Sequence, residues 1–429
     1  MTSPRRFEQD LPALLGDLYL AGTPVYRDDL VRQVARTPQR PAWTFPGRWL
    51  PMELVTARVP ATRLPMRQLG VLALIAILLA AALAVYVGSQ QVRLPAPFGV
   101  AGNGLIAYSA DGDIFVSDRT GSGARAITTG PGIDTDPLFS PNGQRIAFLR
   151  TTPGVMGLDL MVGDLDGGQP VKVSTEPLPF TEMYEWAPDS GWLILNTSDR
   201  RLMRLDVTDP GEPTLIASDA ILSRGASVFR PPDGKQIMFM RGSVGGLWVL
   251  DLDGQGQPRL LIDNPEPENR DFTYARWSPD GTMIAFPATI GDGEQYRIHV
   301  ARADGTAIRR VSTADGTFVE ADLRWSPDGS RIAFNRWAKG SSGAWHVRPI
   351  GIVTVETGED TETGSVGVSD GTLLEWSPDA AYIVGVPGPL AGHGSTATAK
   401  PTIVDVATGV GSELPWTVRT NISWQRLAP

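Results

Sequence analysis

The chain has 429 residues, of which 42% are hydrophobic and 20% are charged, and its net charge is −9. This composition is typical of a folded protein and excludes an intrinsically disordered one. Because the chain contains no cysteine, disulfides, thiolate catalysis and cysteine zinc sites are excluded as well. Its 47 glycines and 36 prolines recur at regular intervals, which is typical of many short strands joined by tight turns.

The first 67 residues predict a short helical segment. Residues 5–21 place apolar side chains at helical spacing, and residues 25–37 predict a second helix that ends before Pro38. A linker rich in proline and tryptophan follows. The segment contains ten arginines and six acids, and because the two signs are interspersed, its charge does not indicate a nucleic-acid partner. We expect this segment to be cytoplasmic, where a regulator such as a sigma factor is a possible partner.

An uncharged, apolar run then predicts a membrane span. Residues 69–87 read LGVLALIAILLAAALAVYV, and a helix of this length covers roughly 28 Å, close to the hydrocarbon thickness of a bilayer. We therefore predict a transmembrane helix over residues 68–88 and a linker over residues 89–101. Arginines cluster before the span, so the N-terminus should be cytoplasmic and the rest of the chain extracytoplasmic. The lipid bilayer of the inner cell membrane, crossed once, is thus a predicted partner.

The remainder of the chain is a repeat. RWSPDGTMIAF at residues 276–286 returns as RWSPDGSRIAF at residues 324–334, and weaker copies begin at residues 138, 185, 229 and 375. In each copy an aromatic residue ends a first strand, and a Ser-Pro-Asp-Gly segment suits a type I turn with a bulge. An apolar second strand and two further strands follow. Four antiparallel strands in a period of this length form one blade of a β-propeller.

The two ends of the repeat series complement each other. Residues 105–128 supply the second to fourth strands of a blade, whereas the end of the chain supplies only a first strand that contains Trp424. One blade shared between the two ends would close the ring and remove its exposed sheet edges. The predicted fold class is therefore all-β, with a seven-bladed β-propeller over residues 102–429. Six or eight blades are the alternatives.

The repeat resembles a known family. The SPDG turn, the aromatic residue before it and the apolar IAF strand after it resemble the repeat of TolB-type β-propellers, which are relatives of WD-repeat propellers. The resemblance covers about residues 102–428 and implies a propeller that serves as a binding platform. The overall plan of a small helical head, one span and a large outer domain resembles that of transmembrane anti-sigma regulators.

The sequence shows no catalytic constellation. It lacks a phosphate loop and a dinucleotide fingerprint. The Asp-Gly turns lack the alternating oxygen ligands of a calcium loop, and His299, His346 and His393 are far apart in the sequence. We therefore expect that the chain is not an enzyme and holds no cofactor or metal.

Acidic residues precede the first strands of most repeats. In a propeller these loops gather around one mouth of the central channel, where carboxylates would attract cations, cationic sugars or a basic peptide. The alternative is that these acids are simply solvated loop residues. The predicted ligand-binding residues are Asp136, Glu182, Asp271, Glu320, Asp322 and Asp370.

These observations lead to two functional hypotheses. The first is a membrane-anchored, extracytoplasmic propeller that acts as a non-catalytic platform for an envelope protein, a peptide or a glycan. The alternative is an anti-sigma-like signalling regulator, whose propeller senses a ligand and whose N-terminal segment binds a cytoplasmic transcription factor. Only the second hypothesis requires a specific cytoplasmic partner for residues 1–67.

Overall fold

The structure is a computed structural model. It describes residues 70–71, 73–80, 93–173, 181–223, 228–242, 244–254, 256–264, 272–289, 295–313, 318–339, 345–363, 373–386 and 398–428. The chain divides into two units, residues 1–91 and residues 92–429. Each is considered by itself.

In the first unit, the described residues 70–71 and 73–80 are helical. None of the described helices combines the length and the apolar character that crossing a membrane requires. The structure therefore does not support the predicted transmembrane helix over residues 68–88, because only ten residues of that range are described. The predicted helices over residues 5–21 and 25–37, and the linker after them, lie outside the described residues.

The second unit is an all-β propeller of seven sheets. Its strands up to the middle of the ring are β1 (Gly102–Ala110), β2 (Asp113–Ser117), β3 (Arg125–Ala126), β4 (Ile133–Phe139), β5 (Arg145–Thr151), β6 (Asp159–Asp164), β7 (Val171–Lys172), β8 (Thr181–Trp186), β9 (Trp192–Thr197), β10 (Arg201–Asp206), β11 (Thr214–Ser218), β12 (Ala220–Ile221), β13 (Gln236–Arg241), β14 (Leu247–Asp251) and β15 (Arg259–Ile262).

After a short 3-10 helix at Phe272–Tyr274, the chain continues with the remaining strands. They are β16 (Arg276–Trp277), β17 (Met283–Ala288), β18 (Arg297–Arg302), β19 (Arg309–Arg310), β20 (Phe318–Trp325), β21 (Arg331–Lys339), β22 (Trp345–Val347), β23 (Gly351–Thr354), β24 (Asp360–Glu362), β25 (Leu373–Trp376), β26 (Tyr382–Val386), β27 (Thr402–Asp405), β28 (Gly411–Glu413) and β29 (Ser423–Leu427).

The sheets follow the predicted repeat. Blades 1 to 6 begin with β4, β8, β12, β16, β20 and β25, and each consists of consecutive antiparallel strands, with β22 as an extra strand beside β21. The seventh sheet has the order β29-β1-β2-β3, and Trp424 of β29 lies opposite Ile106 of β1. The prediction of seven blades closed by the two ends of the repeat is thus confirmed.

The turn between the first two strands of a blade has the predicted chemistry. In blade 4 the Gly281 N–H donates to the Ser278 carbonyl over 2.9 Å, and Gly281 adopts a left-handed φ of 69°. The Ser278 hydroxyl accepts the Met283 N–H over 2.9 Å, which ties the turn to β17. The turn is therefore a type I turn followed by a left-handed glycine, as the SPDG pattern predicts.

Adjacent blades are joined by apolar clusters and by tryptophan. One cluster combines Trp192 and Ile194 of blade 2 with Ile237 and Phe239 of blade 3. In three blades the indole N–H of the first-strand tryptophan also donates to a backbone carbonyl of the preceding blade. These bonds are Trp186 to Leu138 (3.0 Å), Trp325 to Arg276 (3.3 Å) and Trp376 to Arg324 (3.1 Å).

A matched pair of glycines tests how tightly the blades pack. Gly281 and Gly329 occupy the same turn position with φ of 69° and 71°, so alanine should strain both turns by about 1 kcal/mol. A Cβ at Gly281 would also lie 2.0 Å from the Pro231 carbonyl oxygen of blade 3, whereas the nearest atom to a Cβ at Gly329 is 3.6 Å away. We expect Gly281→Ala to lower the free energy of unfolding by roughly 1–3 kcal/mol more than Gly329→Ala. Urea denaturation measures the free energy of unfolding of both variants. Equal losses in the two variants would contradict the close contact between Gly281 and blade 3.

Candidate functional site

The first strand of each sheet lies innermost in the ring. First strands contact one another in sequence around the centre, since β16 contacts β20, β20 contacts β25, β25 contacts β29 and β29 contacts β4. The residue immediately before the first-strand aromatic therefore occupies an equivalent inner position in these five blades, and the repeat gives Glu185 and Val228 as its counterparts in blades 2 and 3. From blade 1 to blade 7 these residues are Leu138, Glu185, Val228, Arg276, Arg324, Glu375 and Ser423.

A cavity of about 190 Å³ lies where blades 3 to 7 meet. Its charged lining residues are Arg276, Arg324, Glu375 and Arg426, each from a different blade. Several first-strand tryptophans complete the wall, among them Trp277 and Trp424. A larger depression of about 590 Å³ near Arg93 and Asp166 is more open, and both of those side chains are exposed. The smaller cavity is the candidate site because it brings together four charged groups from four blades, of which Arg276 is fully buried and the other three are half-buried.

Glu375 has an unusual protonation equilibrium. It is partly accessible from the cavity but lies deep in the protein, and this burial raises its pKa to about 7. The guanidinium groups of Arg324, Arg426 and Arg276 lower the pKa of Glu375, with the largest effect from Arg324 and the smallest from Arg276. Burial penalises the charged carboxylate more than the three arginines favour it. Glu375 is therefore close to half-protonated at neutral pH.

Arg276 is the most buried charged group of the site. Its side chain is 1% exposed, and its Nη1 donates to the Ala275 carbonyl over 2.9 Å. Burial lowers the pKa of Arg276 well below its usual range, and the nearby charge of Arg324 lowers it further. The carboxylates of Glu185 and Asp322 raise this pKa, but by less. A cation held in so apolar an environment has a high cost in free energy unless an anion accompanies it.

Arg426 connects the cavity to the segment that leads into the propeller. Its Nη2 donates to the carbonyl oxygens of Ala96 over 3.1 Å and Gly99 over 2.7 Å. Phe98 and Gly99 of this segment line the cavity together with the prolines of the SPDG turns, such as Pro279 and Pro327. The segment therefore lies across the end of the channel where these turns gather.

The acids predicted from the sequence occupy several different environments. Asp136 and Asp322 stand at bulges in the innermost strands β4 and β20, with φ of 54° and 52°. Asn421 Nδ2 donates to Asp136 Oδ1 over 3.3 Å, and Asn335 Nδ2 donates to Asp322 Oδ2 over 3.4 Å.

Glu320 lies elsewhere, in the interior of blade 5. It is 0% exposed and accepts hydrogen bonds from Arg336 Nη2 over 2.8 Å and from the Ser312 hydroxyl. Glu320 is therefore an ion-pair partner of Arg336 within blade 5. Glu182 belongs to β8, but its side chain is outside the described part, as are Asp271 and Asp370 altogether. The predicted ring of acids stays a prediction.

Sequence reasoning missed Glu375, Arg276 and Arg324, although the repeat contained a signal. The residue before the tryptophan is charged in four copies, EW at Glu185, RW at Arg276, RW at Arg324 and EW at Glu375. In a propeller the first strand borders the channel, so this column of the repeat marks the channel lining. Arg426, by contrast, belongs to the closing strand, and the repeat alone does not show it.

Comparisons with known proteins match the propeller. No known family matches the chain. It is 24% identical over 241 residues to the Tricorn protease homolog 1 of Streptomyces coelicolor, which corresponds to 53% of this chain and 21% of that protein. The chain thus spans about a fifth of the length of this curated relative.

Among solved structures, an oligogalacturonate lyase in complex with manganese matches with a TM-score of 0.52 and 17% identity, over 73% of this chain and 85% of the lyase. A puromycin-hydrolyzing peptidase of Mycobacterium tuberculosis matches with a TM-score of 0.52 and 13% identity, over 77% of this chain and 57% of the peptidase. TolB from Acinetobacter baumannii matches with a TM-score of 0.44 and 16% identity, over 76% of this chain and 68% of TolB.

The matches with TM-scores above 0.5 support the β-propeller fold, and the comparisons show neither a membrane anchor nor an anti-sigma plan. They contradict two predictions made from the sequence. The sequence predicted a non-catalytic platform, with a signalling regulator as the alternative, and a chain that is not an enzyme. The matched proteins instead include a lyase, a peptidase and a protease homolog. The prediction that the chain is not an enzyme rested on linear motifs, whereas the charged residues of the cavity come from separate blades.

Proposed function

We propose that this chain is an enzyme that carries out proton transfer in the central cavity, with Glu375 as its acid–base group. The observation that supports this proposal most is the pKa of about 7 at Glu375, in a cavity that it shares with three arginines. A group whose pKa lies near the working pH exchanges protons most effectively. Perturbed pKa values of this size also concentrate at functional sites.

The reaction class that we propose is elimination. The chain covers 85% of the matched lyase but little more than half of the matched peptidase, so the propeller accounts for most of the lyase. In an elimination, the Glu375 carboxylate would take a proton from a carbon next to a carbonyl or carboxyl group. The electron pair of that C–H bond would form a new C=C bond while the bond to the leaving group breaks. Guanidinium groups nearby would stabilise the negative charge that develops on the substrate.

The matched lyase is in complex with manganese. Among the described residues, no three His, Asp or Glu side chains come together as a metal site would require. The steps proposed for this chain therefore rest on its own carboxyl and guanidinium groups.

An activity assay on the full chain tests this proposal. Oligogalacturonate and other acidic oligosaccharides would be substrates, and the ultraviolet absorbance of an unsaturated product would report elimination. We expect activity that rises with pH through about 7, because the base must be deprotonated. Glu375→Gln should lower kcat/KM by at least about 100-fold, whereas Glu356→Gln, at an exposed position of the same ring, should leave it unchanged.

Two results would overturn the proposal. One is full activity of Glu375→Gln, which would exclude Glu375 as the base. The other is cleavage of peptide substrates without any elimination, which would favour a peptidase like the matched hydrolase. The predicted extracytoplasmic location and the predicted envelope partners stay proposals that rest on the sequence.

A further inference from the structure

One end of the channel is crossed by the segment that leads into the propeller. Residues 95–101 of this segment belong to no helix or strand. Phe98 lines the cavity and packs against the apolar cluster shared by blades 2 and 3. Three residues later, the Ala101 N–H donates to the Pro378 carbonyl of blade 6 over 2.9 Å. The segment thus passes from one side of the ring to the other, and its residues 95–99, the strap, close this end of the channel over the cavity.

The strap is held in place by few contacts. Among the described residues, no backbone hydrogen bond joins residues 95–99 to a blade. Its polar contacts come from Arg426, whose Nη2 donates to the carbonyl oxygens of Ala96 over 3.1 Å and Gly99 over 2.7 Å. An apolar contact comes from Phe98, which is only half-buried. Segments with so few contacts open locally at a much lower cost in free energy than the strands of a core.

The arginine that holds the strap also lies beside Glu375. Both side chains line the cavity. The charge of Arg426 lowers the pKa of Glu375, and the charge of Glu375 raises the pKa of Arg426, against the larger effect of burial. The strap and its arginine therefore lie directly over the group that we propose as the base, and release of the strap would expose this group to solvent.

We propose that the strap is the gate of the cavity and that Arg426 is its latch, so that a ligand enters through this end of the channel after Arg426 releases Ala96 and Gly99. In the open state the strap leaves the SPDG turns that surround the cavity, while Ala101 stays bonded to blade 6. This inference goes beyond the proposed function, because it concerns access to the cavity and does not require catalysis at Glu375.

A cysteine placed beneath the strap measures how often the gate opens. The chain contains no cysteine, so Glu375→Cys supplies a single thiol in the cavity, and its rate of reaction with the thiol reagent DTNB reports access. The reference is Glu356→Cys, which places a single thiol at an exposed position. We expect the thiol at position 375 to react at least about tenfold more slowly than the reference, because it reacts only while the strap is open.

Variants that weaken the strap should speed this reaction. In the Glu375→Cys background, Arg426→Gln should raise the rate at least about tenfold, because charge-assisted hydrogen bonds to the strap are lost. Loss of a nearby cation would by itself raise the pKa of the thiol and slow the reaction, so faster labelling reports access. Phe98→Ala removes the apolar contact, keeps every charge and should also raise the rate.

A second arginine that donates to a main-chain carbonyl provides the matched control. Arg309 Nη2 donates to the Val355 carbonyl over 2.9 Å and so joins blade 4 to blade 5, but it does not contact the strap. Arg309→Gln in the Glu375→Cys background should therefore leave the labelling rate unchanged. Melting temperatures of all variants would establish that each is folded, so that faster labelling does not reflect global unfolding.

The outcomes separate the gate from the proposed function. Faster labelling after Arg426→Gln or after Phe98→Ala supports the gate, and Phe98→Ala alone decides if Arg426→Gln does not fold. Equal rates for the thiols at positions 375 and 356 would overturn the closed strap. A slow rate at position 375 that neither variant changes would overturn the gate, because ligands would then have to enter elsewhere. A gate confirmed in a protein without elimination activity would contradict the proposed function alone.

Discussion

The Glu375→Gln variant should be more stable than the wild type above pH 7, although it loses the proposed activity. The pKa of Glu375 is raised from 4.5 to about 7 in the folded protein, first of all by burial. The folded state therefore binds the Glu375 proton more tightly than the unfolded state does. The stability that this proton contributes is fully present below pH 4.5 and is lost as the pH rises towards 7.

The size of this effect follows from the shift in pKa. By pH 8 the wild type should have lost up to about 3 kcal/mol relative to its stability at acidic pH through this group. Glutamine stays neutral at every pH, so the variant does not lose this contribution. The difference in unfolding free energy between variant and wild type should be near zero at pH 4 and should grow between pH 5 and 7.

Urea denaturation from pH 4 to pH 8 measures this difference, with Glu356→Gln as the control. Glu356 is exposed, so its replacement should leave the pH dependence unchanged. A difference between Glu375→Gln and the wild type that does not change with pH would contradict the raised pKa. A variant that gains stability and loses activity is expected where a destabilising group is retained because function requires it.

A second large effect is expected at Arg336 in blade 5. Its side chain is 2% exposed and forms ion pairs with Glu320 and Asp360, both over 2.8 Å, and with Glu362 over 3.2 Å. The Glu320 and Asp360 side chains are themselves only 0% and 3% exposed. Arg336→Met would leave two buried carboxylates without their guanidinium partner. We expect it to lower the free energy of unfolding by about 3–5 kcal/mol.

Blade 1 provides a matched control for this variant. Arg150 lies opposite Asp134 on β5 and β4, in the same register in which Arg336 lies opposite Glu320 on β21 and β20. The Arg150 side chain is 22% exposed and its partner Asp134 is 1% exposed, so Arg150→Met would leave one buried carboxylate without its guanidinium partner, whereas Arg336→Met would leave two. Arg150→Met should therefore cost clearly less than Arg336→Met in a urea titration. Equal losses of unfolding free energy in the two variants would show that burial of the ion pairs does not determine how much they contribute to stability.

Much of the fold could be predicted because its signals are local. The left-handed φ of Gly281, the hydrogen bonds of Ser278 and the aromatic before each turn depend on a few consecutive residues. These signals recur every 44–51 residues, so each further copy strengthens the prediction of a propeller. The complementary ends of the repeat series indicate that the ring is closed. The site could not be predicted in the same way. The pKa of Glu375 depends on burial and on Arg324, Arg426 and Arg276, which come from three other blades.

Glu320 shows the limit of reasoning from sequence position. It precedes a first strand and so resembles a loop acid, yet β20 begins at Phe318 and Glu320 lies inside blade 5 against Arg336. Whether an acid near a strand end faces the channel or the interior depends on the register of the neighbouring strand. That register is set by side-chain packing between strands, which the local sequence does not specify.

The repeat, the turn chemistry, the number of blades and the way in which the ends join could all be predicted from the sequence, because each depends on short-range patterns with a fixed period. Which charged groups meet at the centre depends on the tertiary structure. Residues 276, 324, 375 and 426 are far apart in the chain, and closure of the ring brings them to one cavity. Their shared burial, which no single repeat contains, sets the chemistry of the site.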